Sequence, residues 1–242
     1  MKIWIDISFT LKNKTGIGGY VLTLLEALNS LNLDYQKISC DFLENKPLKA
    51  IPYFLWLNSV FFAKTLLEKP DIIISPSFMM PYLKRKKTKY LTTIHDLTPF
   101  FPDTMGKYST FINKLAIINA INRADKILTV SETVKQELIK KFSLPEHKIA
   151  VTYNSINPVF NSNMPLNDNI LKINNLSKKK YILSVATLNK RKNLISLIRA
   201  FEQISKKYND LKLVLVGGIG NQKSQNLTDN KSIVFTGYVS DE

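Results

Sequence analysis

Disulfide chemistry is closed to this chain of 242 residues, because Cys40 is its one cysteine. A single thiol also excludes any cysteine-based zinc site, and it permits a reducing, cytoplasmic setting. Histidine is almost as scarce: only His95 and His147 occur, and His147 sits in a polar turn after Pro145 where it is given no role. No stretch approaches the roughly 18 consecutive apolar residues of a membrane-spanning helix. The opening run Met1-Lys2-Ile3-Trp4-Ile5-Asp6-Ile7 holds an acid within it, so it reads as a first strand and not as a secretory leader. Asp-x-Asp, the arrangement that would hold a metal-bound diphosphate, occurs nowhere. Arginine is sparse as well. Of 34 basic residues only Arg85, Arg123, Arg191 and Arg199 are arginines, while 19 acids leave a formal net charge of +15. Specific nucleic-acid readers lean on arginine forks, so this lysine surplus points to a solvated surface, anionic lipid or phosphorylated small molecules, with no nucleic acid as partner.

What is present is the composition of a globular protein, 45% hydrophobic and 22% charged. The length suits one large domain, or one domain and part of another. Apolar runs predict strands at residues 2–8, 34–39, 71–75, 90–94, 126–130 and 148–153. Helices are predicted between them. One carries Tyr20, Val21, Leu24, Leu25 and Leu28 on a face; an aromatic one spans residues 53–67; a third puts Tyr108, Phe111, Ile112, Leu115 and Ile118 on one face. Ser131 is a fitting N-cap for a helix over residues 132–142. Residues 161–180, rich in Asn, Ser and Lys, read as a linker. The alternation then resumes, with a buried strand at 181–185, a helix carrying Leu194, Leu197, Ile198, Phe201, Ile204 and Tyr208, and strands at 211–216 and 232–236. This is the pattern of α/β domains with parallel sheets and helices on both faces.

Four turns carry chemistry. Thr15-Gly16-Ile17-Gly18-Gly19-Tyr20 opens a helix after the first strand, either as a steric turn or as backbone that a phosphate can approach. It fails the dinucleotide fingerprint, because Val21 stands where the third glycine belongs and Asp34 precedes the next strand. His95-Asp96 ends a strand at the carboxyl edge, where open α/β sheets bind ligands. Residues 185–194 form a strand-to-helix loop with Lys190, Arg191 and Lys192 together before a first helical turn. The helix dipole disfavours cations there, so they are either solvated charges or the seat of an anion. The run Lys84-Arg85-Lys86-Lys87-Thr88-Lys89 is a solvated loop or, beside the aromatic helix, a docking point for anionic lipid worth about 1 kcal/mol per lysine.

Thr187-Leu188, Arg191-Lys192-Asn193-Leu194 and Leu197-Ile198-Arg199-Ala200-Phe201 resemble the donor-phosphate loop of family 4 glycosyltransferases. These are GT-B enzymes that use nucleotide-activated sugars. The resemblance implies a complete N-terminal, acceptor-side Rossmann-like domain over residues 1–160 and a linker over 161–180. It implies that residues 181–242 are the first part of a second, nucleotide-sugar-binding Rossmann-like domain, since the family's later glutamate pair has no counterpart. It assigns donor contacts to Gly16, Gly18, Gly19, Thr187, Arg191, Lys192 and Gly217. It places His95 as the catalytic residue near the transferred sugar, with Asp96 beside it, and puts Asn154 in a turn where the family has Asn-Gly-Val-Asp. Ser155 and Asn157 depart from that pattern. The implied activity is retaining transfer of a hexose, mannose by the pattern of residues 187–194, from a nucleotide-sugar donor to a glycan or lipid-linked acceptor. Neither cofactor nor metal is implied. The setting would be surface polysaccharide or glycoconjugate synthesis, in the cytoplasm and peripheral on the inner face of an anionic membrane, with the truncated chain alone inactive. A non-catalytic membrane- or glycan-binding module and an NAD-dependent oxidoreductase are the competing classes, the missing third glycine counting against the latter.

Overall fold

A run such as Ile72–Ser75, with no polar face, is buried on both sides only if its sheet is parallel and helices cover it above and below. The computed structural model, which describes residues 1–10, 16–40, 50–101, 106–156, 171, 176, 180–188, 192–218 and 228–239, has that arrangement. The chain divides into two compact units, Met1–Asn157 and Pro158–Glu242.

The first unit runs β1 (Ile3–Asp6), α1 (Gly16–Ser30), β2 (Gln36–Ile38), α2 (Ala50–Trp56), a π-helical turn (Leu57–Phe61) and α3 (Phe62–Glu68). It continues with β3 (Ile72–Ser75), β4 (Lys89–Ile94), α4 (Lys107–Arg123), β5 (Lys126–Thr129), α5 (Glu132–Phe142) and β6 (Ile149–Val151). Six parallel strands lie in the order β2-β1-β3-β4-β5-β6. Side chains of β1 alternate between two cores: Trp4 joins Tyr53, Trp56, Phe61 and Tyr90 on one face, and Ile3 and Ile5 join Val21, Leu25 and Ile74 on the other. Ser131 Oγ accepts from Val134 N at 3.3 Å and caps α5 as its sequence predicts. The strand order reverses at β1, so the crevice at the carboxyl ends of β1 and β3 is the topological switch point.

Several expectations change. The glycines do not form a loop ahead of the helix but lie within the first turn of α1. The aromatic helix starts earlier, at Ala50, and passes through the π turn. In α4 the apolar stripe through Tyr108 and Phe111 is the outer one: Tyr108 is 66% exposed and Phe111 60%, while Ile117, Ala120 and Ile121 are buried. Apolar residues occur all round this helix, so its periodicity marks two stripes and cannot say which meets the sheet. The basic run is not wholly solvated, since Lys84 and Lys89 hold Asp125 at 3.0 and 3.1 Å.

The second unit has β7 (Tyr181–Val185), α6 (Leu194–Ser205), β8 (Lys212–Val216) and β9 (Ile233–Gly237), its parallel strands in the order β7-β8-β9. Leu194, Ile198 and Phe201 of α6 pack with Leu213, Leu215 and Ile233. Against expectation β7 is not buried: Leu183 is 54% and Val185 72% exposed, because among the described residues β7 pairs with β8 alone. Ile204 and Tyr208 are exposed too, at and beyond the end of α6. The predicted linker lies outside the described residues apart from Leu171, Leu176 and Lys180.

A buried clasp fixes the carboxyl end of β1. Asp6, 2% exposed, accepts the Tyr53 hydroxyl at Oδ2 and Ser8 N at Oδ1, 2.9 Å away. Ser8 Oγ in turn accepts from Cys40 N at 3.0 Å. Burial, reinforced by the neighbouring carboxylate, pushes the Tyr53 phenol well above its usual value, so it stays a donor. Removing that donor strands a buried carboxyl oxygen, so Tyr53→Phe should cost about 1–3 kcal/mol in urea unfolding. An unchanged midpoint would mean that the clasp contributes nothing.

Candidate functional site

In the first unit the site grows from strand ends. Thr92 and Thr93, consecutive in β4, are both fully buried hydroxyl residues, which a purely structural strand has no need of. Their partners explain them. Thr92 Oγ1 donates to Ser77 O at 2.7 Å and so ties down the loop that follows β3, and Thr93 Oγ1 meets the Tyr20 hydroxyl of α1 at 3.2 Å. The Tyr20 ring stands edge-on to His95, with centroids 4.8 Å apart. The glycine turn and the histidine, 75 residues apart in sequence, are thus brought together through one aromatic contact.

His95 is held at a second point, where Nε2 lies 2.9 Å from Pro76 O. A carbonyl only accepts, so Nε2 carries the proton and Nδ1 keeps the lone pair. Burial pushes the imidazole below its usual value, with the Pro76 bond and the nearby Asp96 charge opposing it. The result is a neutral ring with a defined acceptor. Asp96 is exposed, and its Oδ1 accepts from Thr98 N at 2.9 Å, which turns the chain into the short helix Thr98–Phe100. Asn154 is exposed beyond the end of edge strand β6.

Gly16 and Gly19 are exposed, and a Cβ on either would touch no other part of the chain. Their φ angles are not positive. Nothing within the described protein therefore demands glycine at these two positions, although glycine in a helix costs about 1 kcal/mol relative to alanine. Bare backbone at a helix start is what lets an anion come close. At the switch point beside them lies a recess of about 150 Å³ lined by Phe9, Ile17, Tyr53, Ser77, Phe78 and Asn113. Sequence reading missed Asp6, Tyr20 and Ser77. The only sequence signal was an acid inside an apolar strand, since the others act through long-range contacts.

In the second unit the carboxyl ends of the strands are tied together: Ala186 N donates to Val216 O at 2.8 Å, Leu188 N to Gly218 O at 3.1 Å, and Gly217 N to Gly237 O at 2.8 Å. Thr187 lies exposed between two anchored neighbours. Gly217 has φ +148°, and a Cβ there would overlap the Ala186 carbonyl, so this glycine shapes the β7–α6 loop by packing against its backbone. Lys192 is exposed one residue before Asn193, which adopts the left-handed conformation (φ 51°) that Asn tolerates. The Asn193 side chain does not cap the α6 amides and no acid stands in the first turn, so among the described residues that helix start suits an anion. Arg191, Lys190, Thr15 and Gly220 lie outside the described residues.

Parallel sheets with glycine and lysine at helix starts on their carboxyl edges define a Rossmann-like α/β protein of the GT-B type. Solved structures share the fold. Sucrose-phosphate synthase from Thermosynechococcus elongatus superposes with a TM-score of 0.68 at 15% identity, covering 100% of this chain and 71% of that one. S. aureus MnaA in complex with UDP gives 0.60 at 16% identity, covering 98% and 68%. The chain belongs to glycosyltransferase family 4: the model described as Glycosyltransferase Family 4 matches residues 15–160, and that described as Glycosyl transferases group 1 matches residues 167–242. Among curated relatives, the O-antigen chain mannosyltransferase RfbU of Salmonella typhimurium is 26% identical over 88% of this chain and 62% of its own length. An N-acetylgalactosaminyltransferase of Campylobacter jejuni, whose name specifies a diphospho-undecaprenol substrate, is 33% identical over 50% of this chain and 30% of its own length. The chain thus spans less than two thirds of these relatives.

Two predictions separate a glycine kept for a ligand from one kept for the fold. Gly19→Ala should raise stability by about 0.5–1 kcal/mol, and Gly217→Ala should lower it by more than about 1 kcal/mol, both read by urea unfolding. Equal effects would remove the distinction. The pH dependence has a defined sign. An imidazole whose folded pKa is depressed binds its proton more readily when unfolded, so stability falls as pH drops from neutrality through the ordinary value near 6.5, and the loss levels off below the folded pKa. Between pH 7.5 and 5.5 the wild type should lose more stability than His95→Gln, and a parallel loss would show that His95 is not buried as a neutral ring.

Proposed function

We propose that this chain carries the sugar-transfer site of a retaining glycosyltransferase, which moves a hexosyl group, mannose foremost, from a nucleoside-diphosphate sugar to a glycan or lipid-linked acceptor without a metal ion. The observation that carries the reading is the junction of His95, neutral and fixed in tautomer, with a helix start of bare glycine backbone, both at the carboxyl edge of a family 4 sheet. Transfer breaks the bond from the anomeric carbon to the leaving diphosphate, and negative charge accumulates on the departing oxygens. In the first unit the amides at the start of α1, and separately in the second unit the amides at the start of α6 with Lys192, each offer positive potential to an anion, a donor aimed at such developing charge being worth about 10²–10³ in turnover. His95 Nδ1 is suited to accept a hydrogen bond from a sugar hydroxyl and so to orient the ring. The mannosyltransferase relatives support the hexose, and the diphospho-undecaprenol named for the Campylobacter relative supports a lipid-linked acceptor in surface-polysaccharide synthesis. Exposed Lys86 and Lys87 suit peripheral contact with the inner, anionic face of a membrane; among the described residues no helix is long and apolar enough to cross one.

Calorimetric titration with UDP and GDP tests this reading. One of the two should bind, Lys192→Ala should weaken it at least tenfold and lower turnover by about 10²–10³, and NAD should give no heat. Binding of neither diphosphate would favour a non-catalytic module and reject the transferase.

A further inference from the structure

The first unit holds a second recess, of about 160 Å³, that the chemistry above does not use. Phe54, Met80, Tyr82, Ile112, Leu115 and Ala116 line it, together with Met79 and one polar residue, Asn119, whose Nδ2 donates to Met80 O at 2.9 Å while its buried Oδ1 has no partner among the described residues. Met79 also lines the recess at the switch point, and α4 contributes to both, Asn113 to the first and Ile112, Leu115 and Ala116 to the second. The two cavities are therefore neighbours across one flexible, unbranched side chain of the kind that adapts to a ligand. The first is aromatic with polar groups from Ser77 and Asn113, and the second is almost wholly apolar. Around the second, Phe54, Tyr82, Leu83, Phe111, Leu115 and Ile118 are all exposed. Exposed apolar residues gathered at a cavity mouth, as Phe54, Tyr82 and Leu115 are, favour a binding role. Cations flank it: the Arg123 guanidinium lies 5.8 Å from the Tyr82 ring centre, and Tyr82-Leu83 leads directly into Lys84, Arg85, Lys86 and Lys87.

We propose that this groove takes the apolar chain of the acceptor, a single-chain amphiphile bearing phosphate, whose polar end reaches the recess beside His95. The proposal rests on the transferase reading and deepens it, since it commits the acceptor to a lipid-linked one and assigns its tail to α4. Polarity runs in the required sense: aromatic and polar groups line the recess at the carboxyl edge, a mainly apolar recess lies beyond Met79, and basic residues follow Tyr82-Leu83, where an anionic headgroup region would receive the rest of the chain.

The probe is farnesyl phosphate, added to the purified chain and followed by calorimetry, with inorganic phosphate as competitor. The wild type should bind it, and a tenfold excess of inorganic phosphate should leave it bound. Ala116→Trp, which fills the groove, should weaken binding at least tenfold with the unfolding midpoint unchanged. Leu115→Lys, at the exposed mouth, should weaken it likewise and serves if the first variant misfolds. Leu67→Trp, exposed on α3, should have no effect. The proposal is overturned if the wild type does not bind the probe, if both groove variants bind as tightly as wild type, or if inorganic phosphate displaces it. It is also overturned if phosphatidylglycerol vesicles bind through these residues while farnesyl phosphate does not, which would make the face a bilayer contact. A chain that binds farnesyl phosphate but neither UDP nor GDP would reject the transferase and leave the groove, whereas the reverse pattern rejects the groove alone.

Discussion

Parallel pairing is the constraint from which the rest of this molecule follows. Each strand must return to the end at which its predecessor began, and where the connection contains a helix, that helix starts with its N-terminus at the shared carboxyl edge. In the first unit that edge gathers Asp6 and Ser8 after β1, the α1 glycines, Ser75 and Ser77 at and after β3, and His95 after β4. Nothing local in the sequence brings these residues together. The ladder does so, and it leaves free amides, strand ends and polar side chains on one rim.

How much of this a reader of the sequence can extract depends on whether the signal is local. The strands were legible because their runs are short, β-branched and apolar, and α5 was legible because Ser131 sits directly ahead of its first turn. Orientation was not legible where apolar residues surround a helix. In α4 the stripe through Tyr108, Phe111, Leu115 and Ile118 is as regular as the one through Ile117 and Ile121, and only the sheet chooses between them. β7 failed for the converse reason, since an apolar strand predicts burial whether or not a neighbour covers it. At the site, His95 and Lys192 were legible by their place after a strand and before a helix. Tyr20, Thr93 and Pro76, which decide how His95 stands and which nitrogen is protonated, lie in segments that only the fold makes adjacent.

The glycines show a tension between stability and use. Gly217 is obligatory for the protein's own backbone, because a side chain would collide with Ala186. Gly16 and Gly19 are not, and they weaken the start of α1 relative to alanine. A helix start left uncovered is worth that loss if something negatively charged is to occupy it, and the same holds for the uncapped start of α6 beside Lys192. Neither feature stabilises the protein by packing.

The segment after β3 binds these elements into one device. Ser75 Oγ lies 3.0 and 2.9 Å from the carbonyls of Ser77 and Met79, Thr92 donates to Ser77 O, and Ser77 Oγ accepts from Met79 N at 3.2 Å. Such a closed set of buried hydroxyl bonds leaves the loop little freedom, because each partner left unmade would cost more than the bond itself contributes. Pro76 of this loop holds the proton side of His95, Ser77 and Phe78 line the recess at the switch point, and Met79 separates that recess from the apolar groove. A shift of the loop would therefore disturb the His95 ring, the recess at the switch point and the apolar groove at once. Buried Thr92 of β4 helps to hold it: apolar packing in the centre of a sheet is replaced by a bond that fixes a loop outside it. That exchange makes sense only if the position of the loop matters more than the burial forgone.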